Sequence, residues 1–407
     1  MSPRAAFLSG LCLGLMAAAV VLLLLGLGLG PGARPQAIVA EAAPRTVPPA
    51  SSLDEVLARL HADYVDTVDV DALAVRAAQG VVQEVDRFSR YLDAAAYRQM
   101  QAEARGDYVG IGVELRNSRQ GMIVSRVIPG SPAMRAGVRA GDRLLQIDAL
   151  QAEGASLETA AQALQGPAGS SLTLRVVRAG VAAPLSLRLQ RADIQVRTVS
   201  ATRLSPAVAH VHIARFNAQT PGELVAALRR LANEDPTPLR RMVLDLRGNP
   251  GGLLASAVEV ADDLLPGGLI VTASGRRSDA AYRAEARPGE LLEGTRIAVL
   301  ANGGTASAAE ILAAALRDNA RAALLGRTTY GKGSVQSLLP LSRGDALLLT
   351  TARYFTPRGV SLHGQGLQPD GVIEAAAADP DPALPAGKDA AVIAALAWLD
   401  RTSPTPP

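Results

Sequence analysis

Lysine is almost missing from this 407-residue chain. Of its 41 basic residues only Lys332 and Lys388 are lysine. Cysteine is scarcer still: Cys12 stands alone, which excludes an intramolecular disulfide and any CxxC metal or redox motif. The four histidines, His61, His210, His212 and His363, form no HExxH pattern, which argues against a histidine-based zinc site; no metal and no cofactor are expected. Aromatic residues make up 3% of the chain and the formal net charge is +3, with no basic block or aromatic-basic interleaving that would track nucleic acid. Where lysine does occur it is informative. Lys332 stands between Gly331 and Gly333, and lysine, unlike arginine, can give up its proton in a protein.

The most apolar stretch comes first. From Ala5 to Gly30 there is no charge, and Val20–Leu25 is strongly apolar. As a helix this run would reach about 39 Å, enough to cross a hydrocarbon core of about 30 Å. The h-region of a cleaved signal peptide is shorter, about 7–15 residues, and the small-x-small site Ala40-Glu41-Ala42 lies far downstream. The expectation is therefore one transmembrane anchor over 1–30, with the remainder exported. Leu11 stands before Cys12 where a lipoprotein signal needs a small residue.

The rest divides by pattern. Residues 31–52, rich in Pro, Ala and Gly, read as a linker. Residues 53–104 read as helical, with Leu53, Val56, Leu57, Leu60 and Tyr64 at helical spacing. Over 105–192 short alternating strands appear, at 110–115, 122–127, 143–147 and 172–177, with a helix over 157–164 and turn signals between. From 193 to 375 strands (208–213, 242–246, 297–300, 322–325) alternate with helices (253–265, 307–316), an α/β layer pattern. Residues 376–407 form a linker, a helix over 389–399 and a tail. The chain as a whole reads as a multidomain α+β protein.

Chemistry concentrates in two segments, Asn302-Gly-Gly-Thr-Ala-Ser307-Ala-Ala-Glu310 and Tyr330-Gly-Lys332-Gly-Ser-Val-Gln336. Ser307 follows a Gly-rich turn and opens an apolar helix, so free N–H groups and a positive helix end lie beside an exposed hydroxyl. Ala308 N–H is a natural oxyanion donor, and Gly251 or Gly252, at a strand-to-helix turn, is the candidate for a second. For Lys332 to act as a base its pKa must fall from about 10.4 toward 7–8, which burial can achieve and a nearby carboxylate would oppose. No acid occurs between Thr328 and Val335. Glu310, three residues after Ser307, is the local conflict, and it is expected to make structural hydrogen bonds directed away from the amine.

Plainer readings compete at each position. A serine at a helix start is usually a cap, and Gly248–Gly252 can be a plain turn. His363 reads as a loop residue, His210 and His212 as one polar face of a strand, and Asp245 as a cap or the partner of Arg247. Gly326–Lys332 matches GxxxxGK, but Gly333 follows where a phosphate-binding loop needs Ser or Thr, and a strand follows where it needs a helix.

Taken together, these segments resemble the carboxyl-terminal processing peptidases, or tail-specific proteases. The likeness runs through Val85-Asp-Arg-Phe-Ser-Arg-Tyr-Leu92, Tyr108-Val-Gly-Ile-Gly-Val-Glu114, Ile128-Pro-Gly-Ser-Pro-Ala133, Ala140-Gly-Asp142 and Val243-Leu-Asp-Leu-Arg-Gly-Asn-Pro-Gly-Gly252. It continues through the Ser307 and Lys332 segments to Thr351–Pro357. The resemblance implies a PDZ domain (a β-sandwich or partly open barrel with helices) over 105–192 and an α/β protease core over 193–375. It implies Ser307 as nucleophile, Lys332 as general base, Gln336 as the residue orienting the lysine, and Gly252 with Ala308 as oxyanion donors. In the PDZ domain it assigns capture of a substrate C-terminus to Gly110, Ile111 and Gly112, by strand addition. It also implies protein substrates with exposed, apolar C-termini and self-association into a homo-oligomer, while the N-terminal apolar run is expected to place the chain at the bacterial inner membrane with the catalytic body in the periplasm. An adaptor is left open. The alternative is a catalytically inactive PDZ scaffold, against which stands the retention of both Ser307 and Lys332.

Overall fold

The computed structural model describes residues 51–118, 121–195, 197–381 and 384–402. The expected membrane anchor over 1–30 and nearly all of the linker after it lie outside the described residues. Among those described, no helix is long and apolar enough to cross a membrane.

The chain opens with α1 (Ser51–Asp63), α2 (Val70–Gln83), β1 (Arg90–Leu92) and α3 (Ala94–Arg105). Caps set their limits: Asp69 accepts from the Ala72 N–H at 3.1 Å to start α2. Asp93 starts α3 in the same way, and Gly106, with φ of 85°, ends it.

The second region holds β2 (Asp107–Gly110), β3 (Val113–Ser118), β4 (Gly121–Val127), α4 (Pro132–Arg135), β5 (Arg143–Ile147), β6 (Leu150–Gln151), α5 (Leu157–Leu164), β7 (Ser171–Val177), β8 (Leu185–Gln190) and β9 (Ala192–Gln195). Strands β3-β4-β5-β7-β8 form one antiparallel sheet, and β2 pairs with β9 as a separate two-stranded ribbon where the chain enters and leaves. Alternation does the sorting. Along β7, Leu172, Leu174 and Val176 are buried in this region's own core while Ser171, Thr173 and Arg175 are exposed. Asp142, 1% exposed, receives a two-pronged hydrogen bond from Arg178, at 2.7 Å for each prong, and one from the Arg139 N–H. The Ala140-Gly-Asp142 motif is thus a structural corner.

The third region comprises β10 (Val199–Ser205), β11 (Val208–Ile213), α6 (Thr220–Glu234), β12 (Arg241–Asp245), α7 (Leu254–Leu264), β13 (Gly268–Gly275), β14 (Tyr282–Ala286), β15 (Arg296–Ala301), α8 (Ala308–Asp318), β16 (Ala322–Gly326), β17 (Ser334–Pro340), β18 (Ala346–Phe355), β19 (Gly371–Val372) and α9 (Ala390–Arg401). Its main sheet runs β10-β11-β12-β15-β16-β19, parallel from β11 onward. Period-two alternation divides it into two faces. Met242, Leu244, Ile297, Val299 and Leu324 face the core shared with α6, α7 and α8; Val243, Ala298, Leu300 and Leu325 face α9. Burial on both sides explains why these strands read as continuous apolar runs, and each fully buried leucine contributes about 1.5–3 kcal/mol.

A second, antiparallel sheet (β1-β18-β13-β14, with β17 on β18) closes the far side of α7 and α8. Every residue of α8 from Ala308 to Leu316 is buried, and five of them are alanine, small enough to let a helix fit between two sheets. This second sheet is largely silent in the sequence, because strands such as Tyr-Arg-Ala-Glu-Ala (282–286) lack β-branched residues. The helical region also contributes to it: β1 pairs with β18 from Arg90↔Leu348 to Leu92↔Ala346.

Candidate active site

Three neighbouring parallel strands, β12, β15 and β16, end on the same side of the main sheet. Beyond their C-terminal ends lie Gly248–Gly252, Asn302–Ser307 and Arg327–Lys332, where open α/β sheets place their ligand sites.

Ser307 has φ of 56° and ψ of −119°. A positive φ is rare for a residue with a Cβ, and the surrounding hydrogen bonds hold it there. Ser307 does hold the N-cap position of α8 and shares a capping box with Glu310, but with a positive φ in place of the extended backbone of an ordinary cap. Gly251 makes room for it. A Cβ on Gly251 would stand 2.9 Å from Ser307 Cβ and 3.0 Å from the Ala308 nitrogen, and its φ is +98°. The Gly251 N–H is already given to Asn249 Oδ1 at 2.9 Å, and its carbonyl accepts from Phe216 N–H at 2.9 Å. Gly252, with φ of +136°, presses on Phe216: a Cβ there would stand 2.0 Å from the Phe216 carbonyl oxygen. Among the described residues the N–H groups of Gly252 and Ala308 find no backbone or side-chain acceptor.

Glu310 is wholly buried and joins the two segments. Its carboxylate accepts from Ser307 N–H at 2.8 Å, Gly331 N–H at 2.8 Å, Lys332 N–H at 2.9 Å and the Thr329 hydroxyl. The expectation that it would serve structure agrees with this, and its contact with Lys332 is to the backbone. The acid-free setting inferred for Lys332 holds for local sequence only. Folding brings Glu310 to its backbone and Asp86 near its side chain.

Lys332 is half-buried. Burial pushes its pKa down, the Arg90 charge pushes it further, and Asp86 opposes them. Its Nζ lies 5.1 Å from the centre of the Phe88 ring, on whose surface Arg87 also stacks at 4.7 Å. The strap Asp86–Arg90 that brings these groups is held by Asp86, which accepts from the N–H groups of Phe88 and Ser89 at 2.7 Å each. It is tied to β18 by Thr350 N–H donating to Ser89 Oγ at 3.1 Å. Sequence reasoning noticed this motif but gave Phe88 no role. His363 packs edge-on against Phe88, ring centres 6.4 Å apart, and its buried Nδ1 has no partner among the described residues.

Gln336 sits on β17, where the pairing with β18 shifts register between Val335 and Gln336. Such a bulge re-aims a side chain. Its amide Nε2 donates to Ser334 Oγ at 2.8 Å and Thr350 Oγ1 at 3.1 Å. Ser334 opens a strand, not the helix a phosphate-binding loop requires. Asp245 is the partner of Arg247, whose guanidinium reaches it at 2.9 and 2.6 Å. His210 also meets Asp245, at 3.2 Å, and burial pushes the pKa of neighbouring His212 down. No cluster among the described residues could hold a metal.

In the second region Gly110 ends β2, and Ile111 and Gly112 lead from it into β3. The Ile111 carbonyl accepts from Ala133 N–H at 2.8 Å, and that of Gly112 from Ile128 N–H at 2.9 Å. Gly112 has φ of +80°, and a Cβ there would stand 2.3 Å from Ser131 Cβ. The Ile111 side chain is fully buried in the domain core. Strand β3 ends its sheet, so one edge faces no other strand among the described residues, and α5 packs beside it.

A serine strained at the head of a buried helix is thus tied through one carboxylate to a half-buried lysine, in a chain that also carries a separate antiparallel domain with an open strand edge. Comparison with known proteins gives the class. The model of peptidase family S41 matches residues 207–373, and a PDZ domain model matches 123–178. The carboxy-terminal-processing protease of Bartonella bacilliformis is 39% identical over 321 residues, covering 79% of this chain and 74% of the relative. The carboxyl-terminal-processing protease of Synechocystis is 35% identical over 294 residues, covering 70% and 67%. The solved photosystem II D1 C-terminal processing protease matches with TM-score 0.51 and 29% identity over 80% of this chain and 86% of that one. The chain belongs to peptidase family S41, the carboxyl-terminal processing serine proteases that carry a PDZ domain. These relatives are named as proteases, and none supports an inactive scaffold.

Proposed function

We propose that this protein is a serine endopeptidase that cleaves exported proteins near their C-termini, with Ser307 as nucleophile and Lys332 as general base. The observation that carries the reading is Glu310, which fixes the backbone of both residues through one buried carboxylate. Neutral Lys332 takes the proton of Ser307 Oγ as that oxygen bonds to the scissile carbonyl carbon. The carbonyl oxygen becomes an oxyanion facing the N–H groups of Gly252 and Ala308, the free donors beside the nucleophile. As the tetrahedral adduct collapses, the C–N bond breaks and the Lys332 ammonium passes its proton to the leaving amine. Water then attacks the acyl-enzyme, giving a proton to Lys332, and Ser307 leaves with that proton restored. Both amide hydrogens of Gln336 are committed to hydroxyls, so its Oε1 is the atom that accepts from the ammonium and orients it.

Gly110, Ile111 and Gly112 capture the substrate carboxylate, and the substrate strand adds to the open edge of β3. Ile111 contributes backbone only, since its side chain is already packed. The N-terminal apolar run anchors the enzyme in the inner membrane with its body in the periplasm. The test is cleavage of an unfolded protein ending in apolar residues. Wild type should cut it, whereas Ser307→Ala and Lys332→Arg should not. Cleavage by Lys332→Arg would refute the base assignment, because a guanidinium cannot accept the proton.

A further inference from the structure

The last part of the chain reaches back to the ends of β12 and β15 at two points. The side chain of Asn302, 1% exposed, joins the two turns there: its Oδ1 accepts from Gly248 N–H at 3.0 Å and Gly304 N–H at 2.9 Å. Its Nδ2 donates to Asp379 Oδ1 at 2.9 Å. Asp379 is exposed, and its carboxylate lies close to both glycines. A Cβ on Gly248 would stand 2.7 Å from Asp379 Cγ, and one on Gly304 would stand 3.3 Å from Asp379 Oδ1. Gly248 needs glycine for its φ of +69°, and a Cβ on Gly304 would first meet Gly248 Cα at 3.0 Å and Asn302 Oδ1 at 3.2 Å; one side chain from the C-terminal arm packs against both.

The second point is Arg247, which leads directly into the Gly248–Gly252 turn. Its side chain is 2% exposed and bonds Asp389 Oδ2 at 2.8 Å as well as Asp245. Asp389 in turn caps α9, accepting from Ala391 and Val392 N–H at 2.8 and 3.2 Å, and α9 packs through Ala391, Val392, Ala395 and Leu399 on the sheet that carries both turns.

We propose that Asp379 is a positioning residue for the reaction, holding through Asn302 the two turns that present Gly252, Ser307 and Ala308. Asp389 anchors the same arm through Arg247. The inference rests on the reading of Ser307 and the oxyanion donors given above. Asp379 touches no reacting atom; it acts by fixing the spacing between the nucleophile turn and the glycine turn. Oxyanion donors are effective only when preorganised, and misplacement by about 1 Å costs on the order of 100-fold.

The experiment compares the full chain with Asp379→Ala and Asp379→Asn. Three quantities are measured: kcat and KM on a peptide substrate, the rate of reaction with a fluorophosphonate, and amide hydrogen exchange across 248–252 and 304–308. Asp379→Ala should lower kcat and the fluorophosphonate rate about 10–100-fold with KM within about twofold. It should also speed exchange in those two turns about tenfold or more, while α8 and the parallel strands keep their protection. Asn can accept the same hydrogen bond, so Asp379→Asn should recover most of both losses. Unchanged exchange in the two turns of folded Asp379→Ala would overturn the clamp, whatever the activity. So would wild-type kcat in that variant. Retained labelling in Ser307→Ala would instead overturn the nucleophile assignment, and the exchange result would still decide the role of Asp379.

Discussion

Ser307 and Lys332 are bound to the same carboxylate: Glu310 accepts from the backbone N–H of the first at 2.8 Å and of the second at 2.9 Å. The acid that looked like a threat to a neutral lysine holds the lysine's backbone instead. Glu310→Gln should show this. Its amide offers one acceptor oxygen in place of two and turns an NH₂ group toward N–H donors. A stability loss of about 1.5–3 kcal/mol is expected in urea denaturation, with a larger fractional loss of kcat. Wild-type stability and kcat would mean that the carboxylate is dispensable.

The pH dependence follows from Lys332, whose pKa burial and Arg90 depress. The rate constant for reaction at Ser307 should rise with pH and level off below the ordinary lysine range near 10.4. For stability the sign is opposite to that of a favourable charge. Between the folded and unfolded pKa values the unfolded chain holds more protons, so stability rises with pH through that window, and the cost of burying the ammonium is present in full below it. Lys332→Met should therefore abolish activity yet raise the thermal midpoint at neutral pH. A lower midpoint would show that the lysine is stabilising where it stands.

Gly251 and Gly252 should fail differently on conversion to alanine. The new Cβ of Gly251→Ala meets Ser307 and Ala308, whereas that of Gly252→Ala meets the Phe216 carbonyl. Gly251→Ala should fold and lose about 100-fold or more in kcat. Gly252→Ala should also lose protection of the Phe216 and Leu253 amides, which flank that contact. Hydrogen exchange separates the two outcomes, and identical patterns would contradict the assignment of the two glycines.

Arg247→Leu should be among the costliest substitutions in the core. It leaves wholly buried Asp245 and partly buried Asp389 without their shared cation, a loss of about 3–5 kcal/mol. Burial alone would raise the Asp245 pKa; the hydrogen bonds and charge of Arg247, with His210, outweigh burial and hold it at about 2 against an ordinary 3.8. A depressed carboxylate stabilises above its unfolded pKa and loses that contribution as pH falls from about 4 toward 2. Acid denaturation of the wild type should show this limb and Arg247→Leu should lack it; the same limb in both would place the acid transition elsewhere.

Much of this was legible beforehand, and the reason is local. The parallel strands carry near-continuous apolar runs such as Met242–Leu246, the Lys332 turn is marked by glycines on both sides of a rare lysine, and the Ser307 turn by the Gly303-Gly304 pair before it. What stayed hidden depends on pairing across the chain. The antiparallel sheet is joined by β18, which lies far in sequence from its partners β1 and β13, and it ends in β14, an alanine-containing strand paired with β13. Phe88 over Lys332 joins residues 244 positions apart through a strap that no periodicity marks. Asp379 has no local signal, because only the fold places it between Gly248 and Gly304. The glycines themselves were visible, but the side chain that packs against them was not.

The central claim is that Lys332 activates Ser307. The most direct measurement is the pH profile of fluorophosphonate labelling, with the modified peptide identified by mass spectrometry, in wild type, Ser307→Ala and Lys332→Met. The account predicts an adduct on Ser307 alone, forming faster as pH rises to a plateau. Ser307→Ala should give no adduct, and in Lys332→Met labelling should be slow and without that rise. An adduct on another residue, or an unchanged profile in Lys332→Met, would contradict it.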